Sequence, residues 1–313
     1  MKNEVVIITG PTASGKTDLA IRLAKERNGE IISCDSMQIY TGMDIGTAKP
    51  GILERQGIVH HNFDIVSPDQ NYSVAQFKVN TLSIIDDIIR RNKLPIVVGG
   101  TGLYIDSLLL NLEFKEQNDN QFIREKYEHL LNEKGKEYLH HLLLEKDPDA
   151  GRSIHANNVK RVIRTLEILE TEKQSLEQYK KNAKKENDKY DYILFVLNPE
   201  REAVYKKIEK RIDLMLNHGL IQEVKEIFNH TKNKQATSLQ AIGYKEVIWY
   251  LKGYITLTEM VRLLKRNSRR YAKRQYTWFR KYQQAYVIDI DNNYNLELIY
   301  HKILNILDKN SDF

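Results

Sequence analysis

The segment Gly10–Thr17 constrains the fold of this chain more than any other part of its sequence. It reads GPTASGKT and follows the apolar run Val5–Thr9. It matches the pattern G-x-x-x-x-G-K-[ST], in which backbone N–H groups surround a phosphate and a lysine adds positive charge. Asp18–Arg27 follows with apolar residues at helical spacing. The order of strand, glycine-rich loop and helix therefore predicts a loop that binds a di- or triphosphate.

We expect every residue of this phosphate loop to contact the bound di- or triphosphate. The eight residues are Gly10, Pro11, Thr12, Ala13, Ser14, Gly15, Lys16 and Thr17. Lys16 would supply a mobile positive charge, and the Thr17 hydroxyl is placed to ligate Mg²⁺. The alternative is a glycine-rich turn that binds nothing. Agreement of the four fixed positions and both flanks favours the phosphate loop.

Composition and charge exclude several classes of protein. The chain has 313 residues, 41% hydrophobic and 29% charged, which is typical of a soluble main domain with an added lobe. No apolar run is long enough to cross a membrane, and the first strand begins too early to leave room for a signal peptide. Cys34 is the single cysteine, so no internal disulfide can form. We therefore expect a cytoplasmic protein, and a monomer by default.

The net charge of +6 is concentrated in the segment Met260–Gln284. Its nine basic residues, with no acidic one between them, are Arg262, Lys265, Arg266, Arg269, Arg270, Lys273, Arg274, Arg280 and Lys281. Aromatic residues are interleaved, and a helix would align the cations in two stripes. Such a surface favours nucleic acid, whose phosphates would offset the repulsion between these charges. The alternative is a solvated basic face with the aromatic residues in the core.

The order of apolar segments predicts an α/β fold. Strands are expected at 4–10, 30–36, 94–100, 190–199 and 285–290. Helices are expected at 17–27, 74–91, 122–144 with a break near Gly135, 157–172, 201–218, 221–228, 258–284 and 296–307. Alternating strands and helices indicate a parallel sheet with crossover helices. We predict a P-loop NTPase-like core formed by residues 1–112 and 190–313, with an all-helical insertion domain at 113–189. The lysine-rich stretch 173–189 is expected to be a solvated face or a mobile connection.

Two further strand ends carry candidate chemistry. Asp35 follows the second strand, where doubly wound sheets bind ligands, so it could be a general base or an indirect partner of Mg²⁺. A turn cap is the alternative for this residue. The third strand runs into Gly99–Gly102, which contains Thr101 but no carboxylate. Because phosphate-loop NTPases normally carry a second carboxylate there, ATP hydrolysis is disfavoured.

Six segments together resemble the bacterial tRNA dimethylallyltransferase family, also called the tRNA isopentenyltransferases. They are GPTASGKT (10–17), DSMQIYTGMDIGTAKP (35–50), VGGTGLY (98–104), KRVIRTLE (160–167), QAIGYKE (240–246) and RYAKRQYTWFR (270–280). The resemblance implies transfer of a dimethylallyl group from its diphosphate to the exocyclic amine of the adenosine immediately 3′ of the anticodon. That adenosine would have to flip out of the stacked loop.

The resemblance also implies roles for individual residues. Asp35 would be the general base, Thr101 would contact the nucleotide, and Arg211 would support the diphosphate beside Lys16 and Thr17. The implied tRNA contacts are Asp35, Ser36, Met37, Gln38, Thr101, Arg124, Lys160, Arg161, Arg164, Arg266, Arg270 and Arg274. The helical insertion would clamp the anticodon stem-loop. One corner departs from the family pattern: His155–Asn158 reads HANN where the family usually has His-Pro-Asn-Asp.

Two other functions remain open at this point. A phosphate-loop kinase that uses ATP on a small metabolite would share residues 10–17 and Asp35, with the helical insertion as a lid. The basic segment and the missing carboxylate on the third strand argue against it. An RNA-binding NTPase switch is the third possibility, although no switch element is visible in the sequence.

Overall fold

A computed structural model describes residues 2–110, 112, 117–183, 187–291 and 295–311 of the chain. The chain divides into two units, one formed by residues 1–105 together with 188–313 and the other by 106–187. The sequence placed the first boundary between residues 112 and 113, and Glu113 lies outside the described residues. The predicted limits of the insertion domain stay a prediction.

The first unit is built on a parallel sheet. In its described part the strands are β1 Glu4–Thr9, β2 Gly29–Ser33, β3 His60–His61, β4 Leu94–Gly99, β5 Asp191–Pro199 and β6 Tyr286–Ile290. Their spatial order is β3-β2-β4-β1-β5-β6, and every pairing is parallel. The central strands are buried runs of β-branched residues, as expected when helices cover both faces of a sheet. The predicted fold class is confirmed.

The helices flank this sheet or form the second unit. They are α1 Lys16–Glu26, α2 Val74–Arg90, α3 Gly102–Leu109, α4 Gln117–Lys146, α5 Pro148–Ser153, α6 Val159–Glu172, α7 Leu176–Ala183, α8 Arg201–Asn217, α9 Leu220–His230, α10 Tyr244–Leu251, α11 Leu257–Phe279 and α12 Leu296–Ser311. A short 3-10 helix occupies Ser238–Gln240. None of the described helices is long and apolar enough to cross a membrane.

Two apolar clusters hold the first unit together. One packs alternate residues of the central strands, such as Val6 and Ile8, against α1 and α12. The other joins α8, α9, α10 and α11 to the loop after β2, where Ile39 and Tyr40 are fully buried. This second cluster places α8 and α11 beside the ends of the strands, which is where the site forms.

The described part of the second unit contains helices α4 to α7, which pack around a separate apolar cluster. Gly135 interrupts α4 with a φ of 79°, which confirms the predicted break. The expectation of a solvated or mobile connection at 173–189 was wrong in part, because α7 lies within it. Buried Leu176 packs into the cluster, and its backbone N–H donates to Asp147 at 2.9 Å.

Helix α11 is shorter than predicted, since it ends at Phe279 and not near residue 284. It begins at Leu257, one residue before the predicted start: Thr256 precedes the helix, and its hydroxyl accepts a hydrogen bond from the backbone N–H of Glu259 at 3.2 Å. This cap satisfies one of the N–H groups that the first turn of a helix leaves unpaired.

Candidate active site

The phosphate loop joins β1 to α1 and has the geometry of an anion site. Gly15 has a φ of 86°, a left-handed conformation that glycine adopts without strain, and α1 begins at the next residue. The Lys16 ammonium donates to the carbonyls of Gly10 at 3.0 Å and Pro11 at 2.7 Å, so it lies folded over the loop. Thr17 is exposed on the first turn. The unpaired N–H groups and the positive dipole end of α1 favour an anion here.

The electrostatics of Lys16 link three residues that are distant in the sequence. Burial, and to a lesser extent the charge of nearby Arg211, lower the pKa of Lys16 to about 7, while the charge of Asp35 acts in the opposite direction. Arg211 lies on α8, and its side chain is exposed where it lines the cavity described below. The protein around Arg211 nevertheless desolvates it and lowers its pKa. The fold therefore brings Lys16, Asp35 and Arg211 into one electrostatic environment.

Asp35 follows β2 and is partly buried. Burial raises its pKa, while hydrogen bonds from the backbone of Met37 and Gln38 and the charge of Lys16 limit the rise. One carboxylate oxygen accepts from the Met37 N–H at 2.8 Å. This bond is the turn cap considered above, yet the carboxylate also faces the cavity described below. A raised pKa makes a carboxylate a better proton acceptor.

Thr101 connects the end of β4 to the turn that contains Asp35. Its hydroxyl accepts from the Ser36 N–H at 3.1 Å, and its own N–H donates to the Cys34 carbonyl at 3.3 Å. The side chain of Tyr271, from α11, also hydrogen-bonds with Thr101. Burial and the charge of Asp35 raise the pKa of Tyr271, so this phenol stays protonated at neutral pH.

Asp35, Arg211 and Tyr271 line a cavity of about 360 Å³, whereas Lys16, Thr17 and Thr101 are outside its lining. Its polar part is formed by Thr12, Asp35, Arg211, Tyr271 and Arg274, and Ser36 and Met37 also line it. The apolar part of its wall consists of Ile208, Ile212, Met215, Leu220, Ala241, Ile242 and Leu264. Gln38 lies apart from this lining, where its side chain bonds to Ser33 Oγ at 3.0 Å and to the Thr47 carbonyl at 3.2 Å. The cavity therefore offers both charged groups and apolar surface to a ligand.

Sequence reasoning missed Gln275, which is 5% exposed on the inner face of α11. Its Oε1 accepts from the Thr12 N–H and its Nε2 donates to the Gly100 carbonyl, both at 2.9 Å. Gln275 thus fixes the phosphate loop and the β4–α3 turn to the same helix. The one signal in the sequence was that Gln275 is an uncharged amide within a run of cations. This signal does not show which groups the amide binds. Tyr271 was noted only as one of the interleaved aromatic residues.

The basic segment contains no acidic residue, but three of its cations pair with acidic residues outside it. Arg262 pairs with Glu259 at 2.6 Å, Lys265 pairs with Asp213 at 2.7 Å, and Arg269 pairs with Glu209. Asp213 and Glu209 belong to α8, which packs along α11, so their contribution was not visible in the local sequence.

The predicted RNA contacts on α11 differ in their exposure. Arg270, Lys273 and Arg274 are exposed on the helix. Arg266 is partly buried, and its Nε has no hydrogen-bond partner among the described residues. Exposed cations are free to approach a polyanion, whereas Arg266 would first have to move outward.

In the second unit, the predicted RNA contacts fall into two groups. Lys160 and Arg161 are exposed in the first turn of α6. Arg124 and Arg164 instead bind the fully buried carboxylate of Glu167, at 2.7 and 2.9 Å. Within the corner at 155–158, the Asn157 N–H donates to His155 Nδ1 at 3.1 Å.

Known protein families match the chain over most of its length. A model of the family described as IPP transferase matches residues 38–282, and one described as Isopentenyl transferase matches residues 3–61. A tRNA dimethylallyltransferase of Acetivibrio thermocellus is 50% identical over 289 residues, which is 92% of each chain. A tRNA dimethylallyltransferase of Clostridioides difficile is 44% identical over 97% of each chain.

Solved structures are similar at the level of the whole fold. The tRNA delta(2)-isopentenylpyrophosphate transferase of Staphylococcus epidermidis superposes with a TM-score of 0.71 at 42% identity, covering 99% of this chain and all of the other. A eukaryotic dimethylallyltransferase, from a study of its action on tRNA, has a TM-score of 0.78 at 31% identity. That comparison covers 92% of this chain and 74% of the eukaryotic one.

Proposed function

The chain belongs to the IPP transferase family, and we propose roles for its residues in the transfer of a dimethylallyl group to tRNA. The enzyme moves this group from dimethylallyl diphosphate to the exocyclic amine of the adenosine immediately 3′ of the anticodon. The carbon–oxygen bond to the diphosphate breaks, a carbon–nitrogen bond forms, and the amine loses a proton. The cavity that joins Thr12, Asp35 and Arg211 to an apolar wall is the observation that best supports this proposal.

The donor would bind with its diphosphate on the phosphate loop and its hydrocarbon along the apolar wall. Lys16 and Arg211 would balance the charge that the departing diphosphate acquires as the carbon–oxygen bond breaks. Because the pKa of Lys16 is about 7 in the free protein, a bound diphosphate would also favour its charged form. The apolar wall would keep water away from the allylic carbon.

Mg²⁺ fits this site as a partner of the diphosphate. The described residues contain no group of three His, Cys, Asp or Glu side chains that could hold a metal ion. Mg²⁺ commonly takes only one or two protein oxygens and fills its shell with phosphate oxygens and water. The Thr17 hydroxyl is such an oxygen. When bound, the ion would stabilise negative charge on the leaving diphosphate.

The acceptor adenosine would enter beside Asp35 and Thr101. Its amine is a weak nucleophile because the lone pair is delocalised into the ring, so a base must remove the proton during attack. Asp35 has the raised pKa that suits this role. The protonated phenol of Tyr271 would keep Thr101 oriented and could donate a hydrogen bond to the purine.

We propose that tRNA contacts the exposed cations of α11 together with Lys160 and Arg161 of the second unit. Arg124 and Arg164 would contribute less to this RNA contact, because the carboxylate of Glu167 already neutralises part of their charge. The enzyme is proposed to act as a monomer on the anticodon stem-loop, which light scattering of the complex with RNA can check. The kinase alternative has no support, since β4 ends at Gly99 and is followed by Gly100, with no carboxylate at this strand end.

The test is to incubate the protein and Mg²⁺ with unmodified tRNA and either dimethylallyl diphosphate or ATP. Digested nucleosides are then analysed by mass spectrometry. We expect prenylated adenosine only with the allylic donor. A phosphorylated product, or turnover of ATP without prenylation, would contradict the proposal.

A further inference from the structure

A second concavity lies on the outer face of α11, beyond the cavity that holds Asp35. Its volume is about 750 Å³, and its lining consists of Arg270, Lys273, Arg274, Thr277, Trp278 and Lys281. Four of these six residues are cations and none is acidic. Arg274 also lines the Asp35 cavity, so the two concavities share a wall.

Trp278 is the only aromatic side chain in this lining, and it is held firmly in place. It is 39% exposed, and the Lys281 ammonium lies 4.2 Å from the centre of its ring system. The indole packs directly on Gly102, because a Cβ at that position would lie 2.3 Å from its Cδ1 and Nε1 atoms. The Tyr282 hydroxyl donates to the Gly102 carbonyl at 3.4 Å, which fixes the chain just after α11 to the same turn.

The position of this indole relates it to the acceptor side of the active site. Gly102 directly follows Thr101, whose hydroxyl holds the turn that contains Asp35. An adenosine that flips toward Asp35 leaves its neighbours in the RNA without a stacking partner, at an energetic cost. An exposed aromatic ring surrounded by cations is the arrangement that proteins use to bind unpaired nucleotides.

We propose that Trp278 stacks on a base adjacent to the reacting adenosine, while the surrounding cations bind the phosphates that flank this base. The inference rests on the proposed function, because it takes RNA as the substrate. Lys281 now covers part of the ring, and its long side chain can move to a phosphate when the base arrives. The base then replaces a cation–π contact with a stacking contact.

Tryptophan fluorescence tests this contact in a protein that keeps Trp278. The chain has two tryptophans, so Trp249→Phe leaves Trp278 as the only one. Trp249 lies on α10, outside the concavity. Titration with an unmodified anticodon stem-loop, without donor, should quench the emission of the Trp249→Phe protein. The matched Trp278→Phe protein should change little. Unchanged Trp278 emission at saturating RNA would overturn the proposal.

Kinetics with altered RNA identify the stacked base. Trp278→Ala should raise the KM for the stem-loop about five- to hundredfold, the range found when one base–aromatic stack is removed. The KM for dimethylallyl diphosphate should not change, and Trp278→Tyr should restore most of the affinity. Removal of the stacked base from the stem-loop should raise the KM of the wild-type enzyme by a similar factor. The same removal should not raise the KM of Trp278→Ala any further.

The outcomes separate this inference from the proposed function. Equal losses for wild type and Trp278→Ala with every abasic stem-loop would refute stacking by Trp278, even if prenylation is normal. Absence of prenylated adenosine with the wild-type enzyme would refute the proposed function, whatever the fluorescence shows.

Discussion

The backbone N–H of Thr12 donates a hydrogen bond to the side-chain oxygen of Gln275, at a distance of 2.9 Å. The first residue belongs to the phosphate loop, and the second belongs to the helix with the basic outer face. The amide group of Gln275 also holds the Gly100 carbonyl, next to Thr101. One buried side chain therefore fixes the position of the phosphate loop relative to the turn that contains Thr101.

Gln275→Leu should raise the KM for dimethylallyl diphosphate about tenfold or more and affect the KM for tRNA less. Leucine leaves the Thr12 N–H and the Gly100 carbonyl without their buried partner, which typically costs about 1–3 kcal/mol per group. Gln275→Glu should restore only the bond to Thr12. Steady-state kinetics with each substrate varied measures the effect.

A structural role alone would predict a different result for Gln275→Leu. It would lower the melting temperature and leave both KM values unchanged in the protein that stays folded. Gln284→Leu is a suitable control, because Gln284 is exposed and lies five residues beyond the end of α11.

Asp35→Asn should lower kcat by about 10²–10⁴, the usual contribution of a general base. The amide oxygen of asparagine can still accept the Met37 N–H, so the turn should be preserved. Donor binding, followed by calorimetry with dimethylallyl diphosphate, should remain within a few-fold of wild type. A variant with a nearly normal kcat would show that another group removes the proton.

The parts of the site that the sequence predicted are contiguous or sit at strand ends. The phosphate loop carries its whole signature in eight residues between a strand and a helix, and the position of Asp35 follows from the end of β2. The cavity could not be predicted in this way. Tyr271 and Arg211, which only the family resemblance indicated, reach it because α8 and α11 pack against the loop after β2. Gln275 reaches the phosphate loop for the same reason, and such packing between distant segments leaves no local pattern.

Weak or absent local patterns also explain the errors in the fold and in the charge analysis. Strand β3 has two residues, too few to show an alternating pattern. Helix α7 contains a buried leucine within a lysine-rich stretch that resembles a solvated connection. The acidic partners of Lys265 and Arg269 lie more than fifty residues earlier in the chain, on α8.

The value of kcat/KM for the donor should fall as the pH rises above about 7. The reason is that Lys16, with a pKa of about 7, is charged below this pH and neutral above it in the free enzyme. A bound diphosphate stabilises the ammonium, so kcat itself should stay flat to higher pH. On the acid side, kcat/KM should fall through the raised pKa of Asp35, because protonation removes the base.

Lys16→Arg separates the contribution of Lys16 from the titration of the substrate. Arginine stays charged throughout this range, so the alkaline fall in kcat/KM should disappear even if the overall activity is lower. An unchanged alkaline fall would mean that another group, or the diphosphate itself, is titrating.

Lys160→Ala combined with Arg161→Ala should weaken tRNA binding without lowering the melting temperature. Both side chains are exposed on α6, so their removal should not disturb the core of the second unit.

Glu167→Gln should instead lower the melting temperature, because it leaves Arg124 and Arg164 without their buried carboxylate. Filter binding and thermal unfolding distinguish the two effects. Equal tRNA affinity before and after the double substitution would remove α6 from the RNA surface.

Arg270→Ala combined with Arg274→Ala should reduce the salt dependence of tRNA binding. Each phosphate contact contributes about one unit to the slope of log K against log salt, so the slope should fall by about two. Arg262→Ala combined with Lys265→Ala is the matched control. It removes the same charge from the same helix, but these residues already pair with Glu259 and Asp213. If both pairs change the slope equally, the tRNA responds to the total charge of α11 and not to contacts with its exposed cations.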